Sequence, residues 1–300
     1  MSDGGSWPRI SIVTPSYDQG HFVEETIRSV LLQGYPDLEY VVVDGGSMDG
    51  ALEIIRKYGR FFTYWTSEPD RGQAHAIKKG LARSTGAIFN WINSDDVVTR
   101  NTLATVARLM AGSDAVAGAV LNFGECRENI FQNQLLTSAS LIAGRAYHQP
   151  GIWLRTDYII DCGGIEDSHY FYHFDWDLII RYLALFHTVS YTDNILVNFR
   201  HHENAKGAQW AEYDYERTQI CAKLLDNAKF SCLHPDCSRR LRRDTWWREL
   251  QTIRNCTRRS TLEKVIDISI GALRDPLVRV DRFTAGAVRA LLWSSNNRPE

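Results

Sequence analysis

Two neighbouring carboxylates, Asp95 and Asp96, end the stretch Phe89-Asn90-Trp91-Ile92-Asn93-Ser94-Asp95-Asp96. It opens apolar and breaks into acids, the pattern of a strand that carries carboxylates out of a sheet at its carboxyl end. Open α/β sheets bind their ligands at those ends. Buried without partners, the two acids would cost free energy through desolvation. Either a divalent cation, which asks for carboxylate oxygens, or an Asx turn ending the strand relieves that cost. The stretch alone leaves both open.

The elements that must position these acids are readable on either side. Residues 9–14 form a short apolar strand, and Pro15-Ser16-Tyr17-Asp18-Gln19-Gly20 the loop that ends it. Val23, Ile27, Val30 and Leu31 recur at helical spacing, with Glu24 and Glu25 in the first turn, where acids are favoured. Residues 38–43 are a near-continuous apolar strand of the buried, parallel kind, ending on Asp44-Gly45-Gly46-Ser47. A helix through Leu52, Ile54 and Ile55 follows, then an aromatic strand at 61–65, the break Ser67-Glu68-Pro69-Asp70-Arg71-Gly72, and a helix marked by Ala74, Ile77 and Leu81. The acidic strand, a helix through Leu103, Val106, Ala107 and Met110, and a strand at 115–121 complete the series. Such alternation predicts a doubly wound, parallel α/β sheet. Thr14 and Tyr17, Asp44, Asp70 and Arg71, and Asp95 and Asp96 then fall just past successive strand ends, along one edge and in one cleft.

Composition bounds the alternatives. A chain of 300 residues, 44% hydrophobic and 23% charged, is an ordinary globular protein of one large domain or one domain plus an appendage. A formal net charge of −2 argues against a whole-chain nucleic-acid binder. No apolar run approaches the ~20 residues of a membrane-spanning helix. Residues 1–8 hold no signal-peptide apolar region, and six scattered cysteines fit no disulfide framework, so a cytoplasmic protein with reduced thiols is expected. Cys232, His234 and Cys237 lack a second ligand pair, and no zinc site is expected. Neither G-x-G-x-x-G after the first strand nor a P-loop is present, so a nucleotide diphosphate would be neutralised by a cation on Asp95 instead.

Four motifs together, Ile12-Val13-Thr14-Pro15-Ser16-Tyr17, Val41-Val42-Val43-Asp44-Gly45-Gly46-Ser47-Met48-Asp49-Gly50, Ser67-Glu68-Pro69-Asp70-Arg71-Gly72-Gln73-Ala74 and Trp91-Ile92-Asn93-Ser94-Asp95-Asp96, resemble those of glycosyltransferase family 2 over roughly residues 8–205. The resemblance implies the GT-A fold, a Rossmann-like, doubly wound mixed α/β sheet. It divides the chain into a catalytic domain at 1–207, with a nucleotide-sugar half at about 8–121 and an acceptor half at about 122–207, and a helical C-terminal region at 208–300. It also implies roles. Thr14, Pro15 and Tyr17 would border the base, and Asp44 would accept from its ring N–H. Arg71 would lie beside the base or diphosphate, and Ser94 and Asp95 at the donor. Asp95 would ligate a divalent cation, Mn2+ or Mg2+, with Asp96 adjacent and His202, or its neighbour His201, as a further ligand or phosphate donor. The family's acidic motif usually has a carboxylate two residues before Asp95; here Asn93 stands there.

The second half resembles the family in Tyr172-His173-Phe174-Asp175-Trp176-Asp177, which begins a helix with Leu178, Ile179, Tyr182 and Leu183 facing the core. Asp175 matches the family's general base, which takes the proton of the acceptor hydroxyl as it attacks the anomeric carbon. On its own it reads equally as a helix N-cap, and Asp177 is the rival for both roles. Phe174 stands where relatives often have an acid. The implied function is an inverting transferase moving a sugar from a nucleotide diphosphate, a UDP-sugar, to a hydroxyl on a glycan or lipid-linked acceptor in cell-surface polysaccharide or glycolipid synthesis. Asn93 and Phe174 keep open a binding or scaffold protein that has lost catalysis, and a hydrolase that transfers the sugar to water is a third reading.

Residues 208–300 lie beyond the resemblance. They are helical by spacing and carry eight arginines between Arg239 and Arg259 beside Trp246 and Trp247. Leu277, Val280, Phe283, Ala287, Ala290 and Leu291 recur at helical spacing near the end. These faces either meet an anionic membrane peripherally, through about 238–293, or pack on the catalytic domain or a second subunit of a homo-oligomer.

Overall fold

The computed structural model describes residues 6–170, 172–203, 210–256, 259–276 and 282–296. The expected boundary at 207/208, Arg258, Leu277 and Val280, and the side chain of Phe283, lie outside the described residues. Two compact units divide between Glu216 and Arg217.

Unit 1 follows the alternation of its sequence. Strand β1 (Ile10–Ser16) leads to helix α1 (Val23–Leu31), β2 (Leu38–Asp44), α2 (Ala51–Tyr58), β3 (Tyr64–Ser67), α3 (Gln73–Leu81) and β4 (Ile88–Trp91). A two-residue β5 (Val97–Val98), α4 (Thr102–Met110), β6 (Ala115–Gly124), β7 (Asn129–Gln132) and α5 (Ser138–Ile142) follow. Then come β8 (Ile152–Arg155), α6 (Thr156–Asp161), α7 (Phe174–Leu185) and β9 (Val189–His201). Strands β3, β2, β1 and β4 pair in parallel, in that order. Ile10 and Ile12 of β1 join Tyr40 and Val42 of β2 in one apolar cluster with α1, α2 and α4. Val13 faces the other way, and Gly80 lets α3 settle on it: a Cβ there would lie 2.4 Å from Val13 Cγ1. Helices thus cover both faces, and every residue of β1 is buried, Ser11 and Thr14 among them.

Beyond β4 the sheet turns mixed, as the resemblance implies and the strand–helix alternation alone does not. Strand β8 inserts between β4 and β6, antiparallel to both, and β6 continues in parallel to β9. Polar groups inside the sheet fix that insertion. Buried Asn90 of β4 donates to the Pro150 carbonyl (3.0 Å) and accepts from Gln149 Nε2 (2.8 Å), seating the segment that opens β8 beside β4. A buried amide so placed must find partners, and the periodicity of the sequence does not show where they are. The aromatic strand also starts later than expected, at Tyr64. Gly59–Phe61 form a 3-10 turn instead, with the Gly59 backbone so close to the Trp65 indole that a Cβ would lie 2.9 Å from its Nε1.

Helix α8 (Trp210–Leu225) runs through the division between the units. Unit 2 continues with α9 (His234–Asn255), α10 (Thr261–Leu273) and α11 (Arg282–Asn296). Its own core gathers Trp246, Leu250, Ile268, Ala272, Ala287 and Leu291, and the Trp246 indole donates to Thr284 Oγ1 at 2.9 Å.

Candidate active site

Parallel register aligns the carboxyl ends of the first strands, with Ser16 opposite Asp44 and Asp44 opposite Ser67. Asp44 is fully buried, and the donors around it come from the turn it begins. Its Oδ2 accepts from Gly46 N (3.1 Å), Ser47 N (3.0 Å) and Ser67 Oγ (2.7 Å), and its Oδ1 from Ser47 Oγ. Oδ2 thus takes three of the four bonds and Oδ1 one, so the remaining acceptor capacity lies mostly on Oδ1. Thr14 spends its hydroxyl on Tyr40, 3.0 Å away in the core, and Pro15 is buried beside it. Tyr17 is exposed. It and Asp70 close on Gly45 from two sides: a Cβ on Gly45 would lie 3.1 Å from Tyr17 Cδ2 and 3.2 Å from Asp70 Oδ2. Glycine leaves a shallow slot there, walled by an aromatic ring and a carboxylate.

The second cluster is assembled by the short pairing of β5 with β9, Val97 opposite Asn198 and Val98 opposite Val197. Continuing that register sets Asp96 opposite Phe199 and Asp95 opposite Arg200, with His202 two residues further on. Asp96 is fully buried and turned inward, its Oδ1 accepting the Arg200 backbone N–H at 3.1 Å and its Oδ2 the Asn93 amide at 3.4 Å. Burial first, then the nearby Asp95 charge, push its carboxyl well above the usual carboxylate range. Asp95 keeps its side chain at the surface of the cleft, 3.0 Å from His202 Nε2 through Oδ2. Of the two candidate histidines it is His202 that meets Asp95; His201, one residue earlier on the alternating strand, meets Asn122 Oδ1 at 3.0 Å. Arg200 braces the pair, donating through Nε to the Asp95 carbonyl (2.9 Å) and through Nη2 to Glu25 (2.5 Å), its guanidinium between the rings of Phe22 and Phe123. Ser94 is buried in the connecting turn. Asn93 accepts from Gln73 Nε2 at 2.6 Å, a bond that ties the start of α3 to the acidic turn.

Helix α7 supplies the third part. Phe174, its first residue, packs in the core on Trp91 at the end of β4, ring centroids 6.0 Å apart. Asp175 follows at the helix N-terminus, where the exposed N–H dipoles favour a carboxylate, and its Oδ1 accepts the Trp176 N–H at 2.7 Å. It is not the N-cap, a position held by His173. Asp177 is buried and bound through Oδ2 to Arg181 Nη2 (2.6 Å) and Nε (3.0 Å). Arg181 also donates to the carbonyls of Cys162 (2.6 Å) and Gly164 (2.8 Å), pinning to α7 the turn in which Gly163 and Gly164 take positive φ.

Three further residues were not singled out in the sequence. Asp167 accepts from Arg71 Nη2 and Lys78 Nζ, both at 2.6 Å. Burial works to raise its carboxyl, but the hydrogen bonds from Lys78 and Arg71 outweigh it and hold the group below the usual range. Glu216 of α8 accepts the backbone N–H groups of Tyr172 (2.9 Å) and His173 (2.8 Å), just ahead of Asp175. As a loop acid and a helix acid distant in sequence from their partners, Asp167 and Glu216 leave no local signal. Gln73 heads a helix, where its reach to Asn93 depends on tertiary placement.

As cation ligands, Asp95 and His202 offer one hard oxygen and one imidazole nitrogen. Among the described residues no group of three or more His, Cys, Asp and Glu converges on a metal position. Two protein ligands fit an ion of the Mg2+ or Mn2+ kind, which takes the rest of its shell from water and substrate phosphates.

A sequence model of the family described as glycosyl transferase family 2 matches residues 11–169. A putative teichuronic acid biosynthesis glycosyltransferase of Bacillus subtilis is 36% identical over 93 residues, 30% of this chain and 36% of that protein. An uncharacterized glycosyltransferase of Mycobacterium tuberculosis is 32% identical over 116 residues, 38% of this chain and 40% of that one. The match thus spans about two fifths of these relatives' length. Among solved structures, residues 1–349 of S. aureus TarS in complex with UDP-GlcNAc superpose with a TM-score of 0.62 at 20% identity, covering 78% of this chain and 70% of that one. A Pyrobaculum calidifontis mannosyltransferase in complex with GDP-Man and Mn2+ gives 0.57 at 18% identity, covering 96% and 88%.

Proposed function

The chain belongs to glycosyl transferase family 2, and from that premise we propose that it is an inverting, metal-dependent glycosyltransferase moving a sugar from a uridine diphosphate donor to a hydroxyl acceptor. The observation that carries the reading is the Asp95–His202 pair, 3.0 Å apart past the ends of β4 and β9. Those two groups would hold Mn2+ or Mg2+, which when bound supplies charge neutralisation and Lewis acidity to the diphosphate. Tyr17, Gly45 and Asp70 form the slot for the base, with Pro15 behind it and Asp44 Oδ1 as acceptor. Arg71 and Lys78, gathered on Asp167, put positive charge on the same edge. Asp175 takes the proton of the acceptor hydroxyl as that oxygen attacks the anomeric carbon. The bond to the diphosphate breaks on the opposite face, so one carboxylate and one displacement give inversion.

The two departures from the family pattern have structural uses that do not require a dead site. Asn93 bridges Gln73 and Asp96, and Phe174 fills the core against Trp91. A relative named for teichuronic acid biosynthesis supports a cell-surface glycan or lipid-linked acceptor. The enzyme would then work in the cytoplasm at the inner face of the membrane. No described helix is long and apolar enough to cross a membrane, so contact with the bilayer would be peripheral.

Calorimetry with uridine diphosphate and Mn2+ tests the reading. Binding is expected with the metal, is lost on chelation, and is weakened by His202→Ala. Nucleotide binding indifferent to metal would defeat it. A thermal-shift screen of nucleotide-sugars then names the donor.

A further inference from the structure

Helix α10 of unit 2 is apolar on two opposite faces. One holds Ile268, Gly271 and Ala272 in the unit's core, where Gly271 lets the helix lie on the Trp246 ring: a Cβ there would meet Cη2 at 2.6 Å. The other holds Leu262, Ile266, Ile270 and Leu273, which are 69%, 47%, 52% and 73% exposed. At 100° per residue these four fall within an arc of about 80°. A helix with two opposite apolar faces wants cover on both, and a run of large exposed aliphatic side chains marks an interaction surface. Among the described residues none covers this stripe.

Charge says what does. Residues 217–300 hold 17 of the 34 Lys and Arg but 9 of the 36 Asp and Glu, a net of +8, leaving 17 and 27, a net of −10, in residues 1–216. Both acids of α10 are already occupied: Glu263 closes a capping box with Ser260, and Asp267 is held by Arg259. Arg274, next to Leu273, and Arg289 on α11 are exposed. Two copies of the unit meeting stripe to stripe would repel each other, whereas an anionic surface is attracted.

We propose that the outer face of α10 docks on an anionic phospholipid bilayer. Leu262, Ile266, Ile270 and Leu273 enter the headgroup–acyl boundary, and Arg274 with the unit's other exposed arginines meets lipid phosphates. The surface is argued from unit 2 alone; its purpose, presenting the transferase to a membrane-held acceptor, rests on the function proposed above.

The test is flotation of the full chain with vesicles of phosphatidylglycerol and phosphatidylcholine, against vesicles of phosphatidylcholine alone. The chain is expected to float with the anionic vesicles at low salt and to be released at high salt. Ile266→Ser combined with Ile270→Ser should lower the bound fraction at least about tenfold while keeping the thermal midpoint and the metal-dependent binding of uridine diphosphate. Equal flotation of variant and parent, or none on anionic vesicles at low salt, overturns the proposal. So does a dimer in sedimentation velocity that the double substitution splits, because a second copy then covers the stripe. Nucleotide binding is measured on the same samples, so a failure of flotation and a failure of the transferase reading are told apart.

Discussion

In helix α7 two aspartates stand two positions apart in different surroundings. Asp177 is locked to Arg181, and Arg181 to two carbonyls of the preceding turn. Asp175 lies at the partly exposed helix start. Their substitutions should fail differently. Asp175→Asn is expected to leave nucleotide affinity nearly intact and lower turnover by at least ~10²-fold, as removal of a general base does. Asp177→Asn strands a buried guanidinium and is expected to cost about 3 kcal/mol of stability, read by denaturant unfolding. Loss of turnover by Asp177→Asn at full stability, with Asp175→Asn active, would move the base by two residues. Asp95→Asn should weaken metal and donor binding together in calorimetry, since one carboxylate serves both. The resemblance put His202 ahead of His201, but the periodicity of the sequence could not. The choice depends on which face of β9 meets the acidic turn, and β5, the strand that sets this, is two residues long.

At the scale of elements, the parallel half of the sheet was legible because buried parallel strands read as unbroken apolar runs, as residues 38–43 do. The antiparallel insertion of β8 was not, since Asn90, Gln149 and Pro150 make it through polar contacts far apart in the chain. Helix α3 links fold to site: Gly80 seats it on Val13, Gln73 holds Asn93, and Lys78 holds Asp167. Gly80→Ala should therefore push α3 outward, costing about 1–3 kcal/mol as overpacking does and also weakening donor binding, which calorimetry would register. The segment before β8 carries a pH dependence of its own. The His148 ring lies between Phe131 and Phe199, and desolvation, with His201 adding to it, lowers its pKa to about 4. The fold therefore holds the neutral ring, and the unfolded chain binds more protons below about pH 6.5. Stability from this residue is complete above that pH and is lost as pH falls toward 4. Denaturant midpoints measured across this window should decline, and His148→Phe, which keeps an aromatic ring, should flatten part of the decline. An unchanged slope in the variant would remove His148 as the cause.

For the whole molecule the formal charge of −2 conceals an uneven distribution, −10 in residues 1–216 and +8 in residues 217–300. The arginine clustering was visible in the sequence, but the outer stripe of α10 was not. Its leucines and isoleucines satisfy the same periodicity as core positions, and only the placement of Ile268 and Ala272 on the opposite face shows which set is inside. Several of the arginines keep their charge at the surface even where they pair: Arg239 and Arg242, beside Asp236 and Asp275 at 3.6 Å each, have side chains 65% and 60% exposed. Loose exposed pairs of this kind contribute little and are screened by salt. At pH 7.5 and low salt the intact chain is accordingly expected to bind a cation exchanger despite its net negative charge, and to bind an anion exchanger as well. Reversing Arg239, Arg242 and Arg274 to Glu lowers the net charge of residues 217–300 from +8 to +2. Retention on the cation exchanger should then fall while retention on the anion exchanger rises, with the apolar stripe untouched. Passage of the unsubstituted chain straight through the cation exchanger would mean that its basic charge is neutralised within the molecule and is not presented to a partner.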